Sequence, residues 1–134
     1  MPLDFGYADA GATRARRSQR NHLAGTSAEA SVARRYLAAG YVQIACRWRG
    51  KGGEIDLVFA DRGGGYVFVE VKTARDFDSA LARISPRQVT RIHMAAQEFL
   101  GDCPAGLDSE TRFDAALVDG QGRIEILEGA LLGY

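Results

Sequence analysis

Residues 52–73 read GGEIDLVFADRGGGYVFVEVKT. Two strand-like runs flank a glycine turn. In 54–61, Ile55, Leu57 and Phe59 alternate with Glu54, Asp56 and Val58; in 66–73, Val67, Val69 and Val71 alternate with Phe68, Glu70 and Lys72. A period of two is the signature of a half-buried strand, and the RGGG between the runs is a turn signal, so the stretch predicts an antiparallel hairpin. Side chains two apart on a strand share a face, so Glu70 and Lys72 project together. Pairing of the two strands brings Asp56 close to Glu70. The most apolar part of the chain thus carries two carboxylates and an ammonium.

Working outward, YVQIACRWR at 41–49 alternates with Val42, Ile44, Cys46 and Trp48 on one side, which predicts a third strand joined to the hairpin by GKGG. Upstream, Val32, Tyr36 and Leu37, widened by Ala33, form an apolar stripe that predicts a helix from a cap at Thr26 or Ser27 to about Ala39, stopped by Gly40. Downstream, ARDFDSALARI at 74–84 lacks a strand pattern and reads as a loop. Ser85–Pro86 is an Ncap–N1 pair that opens a helix to Leu100, with Val89, Ile92, Ala96 and Phe99 on one face. After a loop at 102–110, TRFDAALVD and RIEILEG read as two further strands around a GQG turn. The order is α-β-β-β-α-β-β. It predicts an α/β fold with a mixed central sheet flanked by helices, in which the first three strands are antiparallel and the strand after the second helix runs parallel to a central one.

With 134 residues, 46% hydrophobic and 25% charged, the chain suits one domain with its own core. Its apolar runs fall short of the roughly 20 residues that span a bilayer, and the N-terminus shows no apolar h-region, so no membrane association and a cytoplasmic location are expected. Cys46 and Cys103 have neither CxxC nor zinc-site spacing, which predicts free thiols. A formal net charge of zero counts against strong non-specific binding to nucleic acid. The charge is uneven, however: Arg14, Arg16, Arg17 and Arg20 against Asp4 and Asp9 leave residues 1–25 at +2. Residues 1–24 read as a flexible basic arm and 25–134 as the folded domain.

Two carboxylates at close range repel and raise each other's pKa. A hard divalent cation, Mg²⁺ or Mn²⁺, removes that repulsion, takes oxygen ligands and retains several waters. An adjacent lysine would then orient a water or stabilise charge building on a phosphate. The rival reading is a set of solvated ion pairs on the wet face of an antiparallel sheet. Glu54, Asp56 and Glu70 concentrate more acid than Lys72 balances, which favours the first reading.

GEIDLV followed by VFVEVKT, with a helix containing Glu29 before them and a helix and RFD after them, resembles the YraN family of uncharacterised bacterial proteins. That family is placed in the restriction-endonuclease-like PD-(D/E)XK superfamily and is similar to Holliday junction resolvases. The resemblance runs from about Gly25 to the C-terminus. It implies an αβββαβ core, a metal-dependent endonuclease acting on DNA, branched DNA included, and a homodimer. It further implies that Asp56, Glu70 and the Val71 carbonyl bind Mg²⁺ or Mn²⁺, that Lys72 is catalytic, and that Glu29 assists from the first helix. Gln88 stands where the resemblance places a polar residue near the site, and Arg75, Arg87 and Arg91 are candidates for phosphate contacts. Glu29 and Gln88 each have a second explanation in the sequence, because TSAE and SPRQ are capping boxes. The chain departs from the family pattern at Ala28, at CRWR where an asparagine is usual, at Ala74, which displaces Arg75, and at Arg87, where a lysine is usual. Two alternatives to the nuclease stay open: a nucleic-acid-binding module that cuts nothing, and a scaffold or interaction protein. His22 and His93 lack ligand-spaced partners, Trp48 suits packing, and Asp114 suits a local pair with Arg112.

Overall fold

The computed structural model describes residues 26–132. The basic arm expected at 1–24 lies outside them. Helix α1 spans 26–38, followed by strands β1 (Val42–Arg49), β2 (Glu54–Ala60) and β3 (Tyr66–Thr73), helices α2 (Phe77–Ala82) and α3 (Pro86–Gly101), a 3₁₀ turn (Gly106–Asp108), and strands β4 (Thr111–Val118) and β5 (Ile124–Leu127). The sheet order is β1-β2-β3-β4-β5, with β3 and β4 parallel and the other neighbours antiparallel. This is the expected mixed α/β sheet flanked by helices. No helix among the described residues is long and apolar enough to cross a membrane.

The central strands are buried on both faces. Leu57, Phe59, Val67 and Val69 pack with Val32, Ala33 and Tyr36 of α1. On the opposite face, Val58 and Phe68 pack with Ala95, Ala96 and Leu100 of α3. Each large apolar side chain so enclosed contributes about 1.5–3 kcal/mol relative to exposure. Tyr36 stacks on Phe59 with ring centroids 4.5 Å apart. Trp48 packs edge-on to Phe99 at 5.6 Å, so its role is packing.

Three local expectations need correction. The segment 74–84 is not a loop: α2 forms there because Asp76 caps it, its Oδ1 accepting from the Ser79 N–H at 2.7 Å, and Ala80 is buried beneath it. The faces of β1 differ from simple alternation. A bulge between Gln43 and Ala45 leaves Val42 60% and Ile44 46% exposed, while Ala45 and Trp48 pack toward α3. Alternation fails again at the Arg47–Asp56 level. Ile55 joins Val58 under α3 instead of sharing the α1 face with Leu57 and Phe59. Arg47 there has φ +51°, a left-handed conformation that costs a non-glycine residue about 1–3 kcal/mol. The helix stop at Gly40, with φ +98°, matches expectation.

Asp114 is fully buried and fully paired. It accepts from Arg112 Nε at 2.9 Å and from the second guanidinium nitrogen at 2.8 Å, from the Tyr36 hydroxyl at 2.6 Å and from the Gly129 N–H at 2.9 Å. Burial, with the hydrogen bond to Asp114, pushes the Tyr36 hydroxyl far above its ordinary pKa. His93 is half-buried, lies 2.8 Å from the Leu131 carbonyl and stacks on Phe113 at 3.9 Å. It thereby ties down the chain after β5, a longer-range role than a local surface contact.

Candidate active site

The paired part of β2 and β3 ends at Leu57 opposite Val69. One residue further, the Asp56 side chain replaces the backbone ladder, its Oδ2 accepting from the Val71 N–H at 2.8 Å. The ladder ends there, and the Asp56 and Glu70 side chains come close enough for each to shift the other's pKa. Glu70 is only 7% exposed. Lys72 Nζ stands 3.2 Å from Glu70 Oε2. The hairpin therefore brings together the three groups that the sequence predicts.

Burial, reinforced by the neighbouring charge of Asp56, pushes the Glu70 carboxyl up to about 8. Burial also raises Asp56, against the opposing hydrogen bond from Val71. Two acids held this way resist ionising together.

A cleft of about 250 Å³ opens onto the pair between β2, β3 and α3, lined by Gly53, Glu54, Asp56, Glu70, Gln88, Arg91 and Ile92. Two of the expected polar contacts thus converge on it. Gln88 does so while completing the capping box with Ser85: its N–H donates to Ser85 Oγ at 3.1 Å, and its Oε1 accepts from the Ser85 N–H at 3.2 Å. Both explanations of Gln88 are thus met by its position. Arg87 is exposed at the start of α3 and does not line the cleft. Arg75 lies beyond β3, exposed and ion-paired with Asp76 at 3.4 Å.

Glu29 lies near the carboxyl pair on α1. Its pKa is raised by burial and then by the charge of Asp56. Its Oε1 accepts from Arg47 Nε at 3.1 Å, and the same guanidinium donates to Thr26 Oγ1. Thr26 is already helical, so the cap position of α1 falls outside the described residues.

Two participants escaped the sequence reading. Arg47 appeared only as a departure from an asparagine, although counting the hairpin register places it across from Asp56. Glu98 reaches back from α3 to the β1–β2 turn, accepting from the Lys51 N–H at 2.9 Å and the Gly52 N–H at 2.7 Å. A long-range contact of that kind leaves no periodic trace.

The profile of the uncharacterised protein family UPF0102 matches residues 28–118, a span that holds every residue lining the cleft. The chain belongs to UPF0102, the YraN family. It is similar to UPF0102 proteins of Ruegeria pomeroyi (53% identity, 87% of this chain and 94% of the relative) and Roseobacter denitrificans (54%, 81% and 83%). A third relative, from Cereibacter sphaeroides strain ATCC 17025, is 51% identical over 82% of this chain and 93% of its own length.

The oxygen-only donors of this UPF0102 chain fit a hard divalent cation. The buried Glu70 carboxyl and the half-buried Asp56 carboxyl disfavour each other's charge, and a cation between them would relieve both. Among the described residues no cluster of three His, Cys, Asp or Glu side chains is ready to hold a metal. The protein offers two acids, which suits Mg²⁺ or Mn²⁺ because these ions keep several waters.

Proposed function

We propose that this UPF0102 protein is a metal-dependent endonuclease that hydrolyses phosphodiester bonds in DNA, with branched or otherwise non-duplex DNA as the favoured substrate. One observation carries the reading: Asp56 and Glu70 share a buried gap at the end of β2 and β3 with the Lys72 ammonium 3.2 Å from Glu70. A solvated sheet face would leave such carboxyls exposed and independently ionised. Asp56, Glu70 and the Val71 carbonyl would hold Mg²⁺ or Mn²⁺, which when bound supplies charge neutralisation and polarises the scissile phosphate. Lys72 orients the attacking water and donates to the phosphate oxygen on which charge builds as the water oxygen, releasing its proton to solvent, bonds to phosphorus and the leaving oxygen departs with a proton taken from solvent. Glu29 assists from α1. Gln88 and Arg91 on the cleft wall, with Arg87 and Arg75 outside it, supply contacts that position the strand.

The test is Mn²⁺ calorimetry on the wild type, Asp56→Asn and Glu70→Gln. Stoichiometric binding that both substitutions abolish is expected. No heat, with or without a DNA oligomer, would favour a binding module or a scaffold. Metal-dependent cleavage lost in Lys72→Ala would separate the nuclease from a module that binds and cuts nothing.

A further inference from the structure

Arg47 is built in at a cost and sits where it keeps one acid from the others. Its backbone is left-handed at φ +51°, a conformation that a β-strand does not need and that an arginine has no intrinsic reason to adopt. The strain aims the guanidinium at α1, where it bonds Glu29 at 3.1 Å and Thr26. Glu29 is close enough to Asp56 to feel its charge, yet its side-chain partner is Arg47.

The same guanidinium borders a second opening. A largely apolar pocket of about 440 Å³ lies between α1 and β1; Ala30, Ala33, Leu37 and Leu57 line it together with Thr26, Glu29, Arg34, Gln43, Cys46 and Arg47. Arg34 and Arg47 give it two guanidiniums against one carboxylate. The Arg47 side chain is 34% exposed, and Arg34 is exposed with a hydrogen bond to Ser31. A phosphodiester suits that pocket, because guanidiniums bind phosphate in a bidentate manner. A phosphate accepting two hydrogen bonds from Arg47 would compete with Glu29 for that guanidinium.

We propose that Arg47 is a latch: it holds Glu29 away from Asp56 and Glu70 in the free protein, and a phosphodiester of the nucleic acid entering the α1–β1 pocket draws it off and releases Glu29 as a third acid. The proposal rests on the metal-site reading above. It makes full metal affinity conditional on substrate, with Arg47 as a positioning residue.

Arg47→Asn is the informative variant. Asparagine tolerates the left-handed backbone, so the strand is kept while the guanidinium is lost. Mn²⁺ calorimetry without nucleic acid should show Arg47→Asn binding about tenfold tighter than wild type, since an added carboxylate raises the charge of the ligand set. Arg47→Asn/Glu29→Gln should return to the wild-type value. In parallel, alkylation of Cys46, which lines the pocket, is followed by peptide mass spectrometry. A short single-stranded oligonucleotide should slow it in wild type and not in Arg34→Ala/Arg47→Asn; inorganic phosphate in place of the oligonucleotide tells whether a lone phosphate suffices. A folded Arg47→Asn that binds Mn²⁺ no tighter than wild type overturns the latch, as does equal tightening in the double variant. Lack of Cys46 protection by either ligand overturns the phosphate trigger. Mn²⁺ binding that survives Asp56→Asn would instead overturn the underlying metal site, so the two failures are distinguishable.

Discussion

At Glu70 a proton is retained that an unfolded glutamate gives up. Its pKa rises from 4.5 to about 8 because the group is buried beside Asp56, and Asp56 and Glu29 shift in the same direction. Between these values the folded state binds more protons than the unfolded state, so stability falls as pH rises. The contribution is complete below about pH 4.5 and lost as pH passes through about 8. In chelator, the melting temperature of the wild type should decline across pH 5–8 more steeply than that of Glu70→Gln, which keeps the hydrogen-bonding shape without the titration. Parallel slopes in the two proteins would contradict this. Mn²⁺ should flatten the wild-type slope, since the cation replaces the proton. The sequence placed Asp56, Glu70 and Lys72 together because a hairpin register is simple arithmetic. It was silent on Arg47, because its left-handed backbone depends on how β1 meets β2 and α1 in three dimensions.

The elements were legible where their periods were clean and obscure where one residue broke the pattern. Both long helices and all five strands form where the sequence predicts them, although the faces of β1 and of Ile55 in β2 do not follow simple alternation, and the parallel β3–β4 pair follows from the helical crossover between them. Helix α2 was missed because six residues bury a single alanine and show no stripe; its only signal was the Asp76–Ser79 cap. Ile55 was assigned to the wrong face because alternation fails at Asp56, which is where the strands open to make the cleft. The β1–β2 turn depends on tertiary support from Glu98. Gly50 and Gly53 lie tight against α3: a Cβ on Gly50 would stand 2.7 Å from Glu98 Oε2, and one on Gly53 3.0 Å from the Arg91 carbonyl. Glu98→Ala should therefore loosen the turn, since two backbone N–H groups lose their charged acceptor. Amide hydrogen exchange at Lys51 and Gly52 should accelerate selectively. Unchanged protection at those two amides would show that the turn holds without the carboxylate.

Across the whole molecule, Asp114 is the tie between layers. It joins α1 through Tyr36, its own strand through Arg112, and the turn after β5 through Gly129. Asp114→Ala would leave the Arg112 charge and the Tyr36 hydroxyl without their shared acceptor, and about 3–5 kcal/mol of stability should be lost. Urea denaturation with an unchanged slope would read that loss; a shift in midpoint equivalent to under 1 kcal/mol would show that Glu128, 3.7 Å from Arg112, takes over. The order in which the sheet assembles has a separate consequence. β1, β2 and β3 are joined by short turns, whereas β4 reaches β3 only after the chain has closed the whole α2–α3 crossover. Local hairpins close in microseconds, and longer loops close later at greater entropic cost. Asp56 and Glu70 lie on neighbouring strands of that meander, so their mutual repulsion opposes its closure wherever both are ionised. Refolding of this protein should be faster in mild acid than in mild base, so the acids that equip the cleft also govern how quickly the chain reaches it.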